Sequence, residues 1–332
     1  MINEGGGLVI VHVGRFRSSK RREFWGVVED GFARPLDVEC STTGDFLSSA
    51  SEDLKQLKDL ASEEKIVLSE IEVLSPITKP CRVICQGKNY LDHLLDTGTR
   101  QKDKKYNMFF NKSSASISDP CSPIVRPLGV RLLDYEVELG LVIRAQISRS
   151  IDVDSSQLTT YVGGIVMAND VSARDVQLPQ SQFFKGKSYR TFCPIGPFMA
   201  IFDEEETECV ANLNVELSVN GSVRQSASTS SMIYSPAETI SELSRFSDLY
   251  PGDVILTGTP KGTALSTKKG FRSWFIGQLS ESKRWEIFVR DQQKSGRYLN
   301  PGDVVESRIF SSDGRISLGL QRNVVVDEEE AY

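Results

Sequence analysis

What this chain lacks narrows its chemistry first. It has two histidines, His12 and His93, so a zinc site built on several imidazoles is excluded. Its six cysteines (Cys40, Cys81, Cys85, Cys121, Cys193 and Cys209) are scattered over 332 residues, with no Cys-x-x-Cys pair. That spacing supports neither a thiolate metal site nor a disulfide framework, and reads as reduced thiols in a cytoplasmic protein. A dense basic face is missing too: 39 Lys and Arg stand against 45 Asp and Glu, for a net charge of −6. Nucleic acid is therefore not expected as a partner. Apolar runs such as Leu139 to Ile143 are far too short to span a bilayer, so no membrane partner is expected. The opening Met1-Ile2-Asn3-Glu4-Gly5-Gly6-Gly7 has no charged stretch leading into an apolar core, so no secretory signal is read there. Any metal must be held mainly by carboxylates. Any histidine catalysis falls to His93, because His12 lies in the alternating strand Val9-Ile10-Val11-His12-Val13, where an outward histidine needs no function.

The most informative segment present is Asp134-Tyr135-Glu136-Val137-Glu138-Leu139-Gly140. Strand side chains alternate faces, so Glu136 and Glu138 point the same way. Two like charges on one buried face repel, and each is costly to desolvate. A divalent cation between them would convert that cost into binding, and hard oxygen ligands favour Mg²⁺, Mn²⁺ or Ca²⁺. The competing reading is an edge strand with an acidic, solvated outer face.

The chain reads as α+β and rich in strands. Residues 1–78 form a small N-terminal α+β domain, with strands at 8–13 and 23–28, a helical pattern over 45–62, and a linker at 75–80 broken by Pro76 and Pro80. Residues 79–332 form a second, strand-rich domain. Its expected strands include Val83-Ile84-Cys85, 139–143, 163–168 and a hairpin over 213–225 turning at Asn220-Gly221. Helices are expected from Asn89 to Leu95 and from Pro236 to Phe246. Tyr250-Pro251-Gly252-Asp253 and Asn300-Pro301-Gly302-Asp303 look like one turn used twice, and Asp327 to Glu330 reads as a solvated acidic tail.

Four further segments join the acidic strand. His93 and Asp96 lie three apart on one helix face, where a carboxylate can orient an imidazole and hold the proton it receives. A surface His–Asp pair has the same spacing. Ala168-Asn169-Asp170-Val171-Ser172-Ala173-Arg174-Asp175-Val176-Gln177 ends a strand in a polar cluster. Asp170 can supply a third metal carboxylate there, while Arg174 and Gln177 suit a substrate carboxylate or carbonyl; the plainer account of Arg174 is a local ion pair with Asp175. Lys187-Ser188 precedes Pro194-Ile195-Gly196-Pro197. Gly258-Thr259-Pro260-Lys261-Gly262 offers backbone N–H groups and a hydroxyl.

In this order, these segments resemble the fumarylacetoacetate hydrolase (FAH) family over roughly residues 80–326. The resemblance implies a mixed β-sandwich or β-roll catalytic domain around a deep site, in a homodimer. It implies Mg²⁺ or Mn²⁺ held by Glu136, Glu138 and Asp170. By the same resemblance Lys187 lies beside metal and substrate, Arg174, Gln177 and Thr259 contact the oxo-acid end of a small-molecule substrate, and His93 is the catalytic histidine. Two departures stand out. The acid after the histidine, glutamate in many hydrolytic members, is Asp96, one methylene shorter. Residues 263–298 form an insertion carrying Trp274 and Trp285 and a run of basic residues; a lid, a dimer contact and a plain surface excursion are all open for it. The substrate's far end is expected to meet the N-terminal domain, the segment 97–112 and the insertion.

The leading expectation is a metal-dependent hydrolase that cleaves a C–C bond in a β-diketo or acylpyruvate-type 2-oxo acid, with His93 as general base, Asp96 holding the imidazolium and a cation-stabilised enolate. The alternative on the same site is an oxaloacetate-type decarboxylase, or an isomerase or tautomerase, in which no water attacks. A non-catalytic binding protein that kept the fold is the reading from another class. Retention of three carboxylates with His93 and Lys187 argues against it.

Overall fold

The computed structural model describes residues 10–19, 22–49, 54–96, 106–203, 207–265 and 280–331. Among these residues a twelve-stranded mixed sheet runs through the molecule. Its centre is built from long apolar strands. Val137–Ile143 pairs antiparallel with Val162–Asn169 on one side and with Val254–Leu256 on the other. Val83–Gly87 follows in parallel, and Met108–Lys112 closes that edge antiparallel. In the other direction, Val162–Asn169 pairs with Cys193–Phe202, and Cys193–Phe202 with Ile10–Arg17. The strands Phe24–Glu29, Phe32–Pro35 and Ile66–Val67 then complete the row. The N-terminal strands thus extend the same sheet. A second sheet of five strands joins the hairpin Leu213–Val219 and Ser222–Ser228 to Val304–Ser311, Ser317–Asp327 and Ile124–Arg126.

Alternation along the central strands separates two cores. Val137, Leu139, Leu141 and Ile143 join Ile165 and Met167 against Leu213, Val215, Leu217 and Ile309 of the second sheet. Val142, Val166 and Ala168 face the other way, against Val11, Val13, Trp25, Phe46 and Leu57. Trp25 stacks on Phe46 with centroids 4.3 Å apart. The face that carries Val142 therefore buries the N-terminal segment at one end. Its other end carries Glu136 and Glu138.

Local chemistry explains the connections. Asn220 and Gly221 both take positive φ, 51° and 74°, as a tight two-residue hairpin requires. Pro236–Leu243 starts on a capping box between Ser235 and Glu238 and ends three residues before the expected Phe246. The helical pattern over 45–62 resolves into two short helices, Thr43–Ser49 and Leu54–Asp59. The two Pro-Gly-Asp turns are the same device: Asp253 accepts from Tyr250 N–H at 2.8 Å, and Asp303 accepts from Asn300 N–H at 2.7 Å. The acidic tail is held at its start, where Asp327 accepts from Arg126 at 2.8 Å and Glu328 from Leu128 N–H at 2.7 Å. His12 accepts from Ser317 N–H at 3.1 Å and is structural. Within the insertion, Glu281–Gln293 is a helix whose Trp285 and Phe288 pack on the main core, while Trp274 lies outside the described residues. Among the described residues no helix is long and apolar enough to cross a membrane.

Val13 tests the shared core. It is fully buried where the N-terminal strands meet Cys193–Phe202. Val13→Ala is expected to destabilise by roughly 2 kcal/mol. Urea unfolding should remain one transition, with far-UV circular dichroism and tryptophan fluorescence coincident. A separate early transition of the N-terminal segment would contradict the common core.

Candidate functional site

Strand register builds the site. Glu138 is paired across the sheet with Ala168, and Val137 with Asn169. One step further, Asp170 N–H donates to the Glu136 carbonyl at 2.7 Å. Asp170 therefore stands opposite Glu136 on the face that carries Glu138. Ligand oxygens of Glu136, Glu138 and Asp170 lie within 4.8 Å of one another, and all three residues are buried. This strand is central rather than an edge, so the solvated acidic face does not apply.

Three cations answer these charges. Lys187 Nζ bridges Glu136 Oε2 and Asp170 Oδ2, each at 2.5 Å. Arg174 opens the helix Arg174–Gln180. Its Nε donates to Asp134 Oδ2 at 2.8 Å, its Nη2 to Glu136 Oε1, and its Nη1 to Gln177 Oε1 at 2.9 Å. The local pair with Asp175 does not form; Asp175 accepts from Arg131 N–H instead. Asp134, buried behind Arg174, also takes the N–H groups of Ala264 and Leu265, at 2.7 and 3.2 Å. Lys112, which sequence reasoning missed, donates to Asp170 Oδ1. Its one signal was a lysine two residues beyond Phe110 on the same strand face.

Glu138 is the exception. Its hydrogen-bond partner among the described residues is Gly258 N–H, at 2.8 Å. Gly258 has φ of 91° and comes within 2.9 Å of Asn89 where a Cβ would stand, so glycine is required for this approach. Burial, then the charges of Asp170 and Glu136, push the Glu138 pKa well above the usual carboxylate range. Burial works against ionised Glu136 as well, but Arg174 and Lys187 outweigh it and hold that carboxyl below its ordinary range. Lys187 stays charged: burial opposes its charge, and Asp170 and Glu136 more than restore it. Four carboxylates thus face three cations, and one buried acid has no cation partner. An all-oxygen set missing one positive partner fits a divalent metal, so this triad can hold one.

A cavity of about 260 Å³ opens on the triad. His93, on the helix Leu91–Asp96, lines it together with Lys187, Arg174, Gln177 and Thr259. Burial lowers the His93 pKa below its ordinary 6.5. Asp96 ends that helix, and its side chain lies outside the described residues. The Thr259 hydroxyl is committed, donating to the Val137 carbonyl at 3.0 Å and accepting from Gln225 Nε2 at 2.8 Å. Met108 and Phe110, Leu178 and Phe183, and Thr263 and Leu265 also line the cavity, with Lys88 adding a cation. The expected contributions of the 97–112 segment and the insertion are seen here in Met108, Phe110, Thr263 and Leu265. The expected contribution from the N-terminal segment is not: none of the described lining residues comes from it.

Asn89 fixes the His93 helix to the sheet. The two N–H groups of its side-chain Nδ2 are shared among Gln86 Oε1 at 3.1 Å and the carbonyls of Tyr234 and Thr257, both at 3.0 Å; its Oδ1 accepts from Tyr234 N–H at 2.9 Å. Asn89→Ala strands several buried groups and should cost about 2–3 kcal/mol. A melting temperature unchanged in Asn89→Ala would contradict this anchoring.

A family model described as fumarylacetoacetate (FAA) hydrolase C-terminal matches residues 82–326. The mitochondrial oxaloacetate tautomerase Fahd2a of Rattus norvegicus is 37% identical over 201 residues, which cover 60% of this chain and 62% of that protein. The chain thus spans somewhat less than two thirds of that relative's length. Oxaloacetate tautomerase YisK of Bacillus subtilis (strain 168) is 37% identical over 240 residues, 70% of this chain and 77% of the relative. Among solved structures, a fumarylacetoacetate hydrolase from psychrophilic Exiguobacterium antarcticum superposes with a TM-score of 0.72 at 30% identity, covering 96% of this chain and 100% of that one. A 2-hydroxyhepta-2,4-diene-1,7-dioate isomerase from Mycobacterium marinum gives 0.68 at 26% identity, covering 96% and 99%. With the family model spanning most of its length and the acidic strand, Asp170 and Lys187 gathered at one cavity, this chain belongs to the fumarylacetoacetate hydrolase family.

Proposed function

We propose that the chain is a divalent-metal-dependent tautomerase or isomerase of a small 2-oxo diacid of the oxaloacetate type. One observation carries the reading: an imidazole, His93, its pKa lowered by burial, lines the same cavity as the three carboxylates. Of the readings left open by the sequence, this one has better support than hydrolytic C–C cleavage, because relatives named oxaloacetate tautomerases and a solved isomerase resemble the chain. Both of those named substrates are diacids.

Glu136, Glu138 and Asp170 would hold the ion. Bound Mg²⁺ or Mn²⁺ supplies Lewis-acid polarisation of the substrate's carboxylate and 2-oxo oxygens. The chain's own residues do the rest. His93 takes a proton from C3 of the keto form and returns it to the C2 oxygen, so tautomerisation balances without water. The Lys187 ammonium meets negative charge developing at that oxygen. The Gln177 amide and the Thr259 N–H serve as donors to the C1 carboxylate. Lys88, at the cavity wall, faces the second carboxylate. Three cations against four carboxylates leave one negative charge over; a divalent ion and Lys88 together would turn that into two positive charges, matched to a dianion.

The test follows the enol absorbance of oxaloacetate together with CO₂ release, and acid release from acetylpyruvate. Accelerated loss of enol without CO₂, abolished by EDTA and restored by Mg²⁺ or Mn²⁺, is expected. Acid release from acetylpyruvate with no effect on enol decay would overturn the tautomerase in favour of the hydrolase.

Two variants separate the roles. Glu138→Gln should abolish Mn²⁺ binding measured by calorimetry. His93→Asn should keep Mn²⁺ binding and lose about 10²- to 10⁴-fold in rate. Protonated His93 cannot accept a proton, and its folded pKa is lowered, so kcat/KM should fall with acid only below pH 6.5. An acid limb centred above that pH would exclude His93 as the base.

A further inference from the structure

Lys112 is a buried cation outside the cavity lining. Its side chain is fully inaccessible, as is that of Asp170. On the edge strand Met108–Lys112, alternation puts Met108, Phe110 and Lys112 on one face. Met108 and Phe110 line the cavity, and Lys112 lies two residues further along, where Val83 is its partner across the sheet. Its ammonium meets three acceptors: Asp170 Oδ1, the Phe192 carbonyl at 2.8 Å and the Val171 carbonyl at 3.3 Å. An ammonium has three N–H donors, so all are used. It cannot reach substrate and acts on the site only through Asp170.

We infer that Lys112 is the positioning residue of the metal centre, turning Asp170 so that one oxygen, Oδ2, is presented to the ion. Oδ1 is held by Lys112, whereas Oδ2 is the oxygen that shares Lys187 with Glu136. The same ammonium clamps the backbone directly after Asp170, where Val171 N–H also donates to the Phe192 carbonyl at 3.1 Å. Both the χ angles and the backbone of this ligand are thereby set from behind. A positive charge behind one carboxylate of three also reduces the repulsion that opposes bringing them together. Partners behind a ligating carboxylate commonly govern affinity as strongly as this. The inference rests on the metal reading of Glu136, Glu138 and Asp170.

Mn²⁺ affinity of the full chain, read by the electron paramagnetic resonance of free ion, tests it. Lys112→Met keeps an unbranched apolar stem without the charge. It should remain folded by circular dichroism and bind Mn²⁺ about 10- to 100-fold more weakly. Asp170→Asn should weaken binding at least as much, and adding Lys112→Met to it should cost little more, because Lys112 acts through Asp170. Folded Lys112→Met with parental affinity overturns the proposal alone. A parental chain that binds no Mn²⁺ overturns the metal reading and this proposal with it. Lys112→Gln, which keeps a donor, is the second variant; if neither folds, Lys112 is a residue of general stability and the proposal fails.

Discussion

Mutual repulsion among buried carboxylates is the constraint that the rest of the site answers. Asp134, Glu136, Glu138 and Asp170 are all withdrawn from solvent, where each ionised group is expensive unless paired. Arg174 spans Asp134 and Glu136, and Lys187 spans Glu136 and Asp170. Lys112 supports Asp170 from the far side. The cations are shared between neighbours, so the network is continuous, and removing one member leaves others uncompensated. Glu138 stays outside this sharing, with a single backbone donor among the described residues. A site that satisfies every acid but one can take up a divalent cation.

The sheet makes this arrangement affordable. The strands that hold the acids are apolar for the rest of their length and packed on both faces. Against the same face, the N-terminal strands and helices bury Val142 and Val166. Rigid strands thus end abruptly in ionic groups, and their backbone pairing fixes the distances between carboxylates. The loops that complete the cavity are attached to the same framework. Gln225, from the second sheet, accepts from Val137 N–H and donates to Thr259 Oγ1, both across buried bonds. Asn89 does the equivalent for the histidine helix.

Legibility followed the range of the interaction. Glu136 and Glu138 share a face by strand period alone, and this was readable. His93 was readable by elimination, since two histidines left little choice. Arg174 was readable as a cation near the acids but not in its partners: the adjacent Asp175 looked sufficient, whereas the helix start turns Arg174 inward to Asp134 and Glu136. Thr259 was readable as a site residue, but its hydroxyl is spent on Val137 and Gln225. Beyond its spacing from Phe110, nothing marked Lys112, because Asn111-Lys112-Ser113-Ser114 looks like any polar surface turn. Its partners are 58 and 80 residues away in sequence.

By itself, the sequence determined the chemistry on offer: carboxylates in place of imidazoles and thiolates, a single usable histidine, and acids at period two in an apolar strand. These are properties of composition and of spacing within one element. Tertiary structure alone decided the rest. Antiparallel register set Asp170 opposite Glu136, a left-handed glycine aimed an N–H at Glu138, and an edge strand brought Lys112 behind Asp170. Each depends on where two distant segments meet, and pairing across a sheet is settled by the packing of whole faces rather than by the residues that eventually touch.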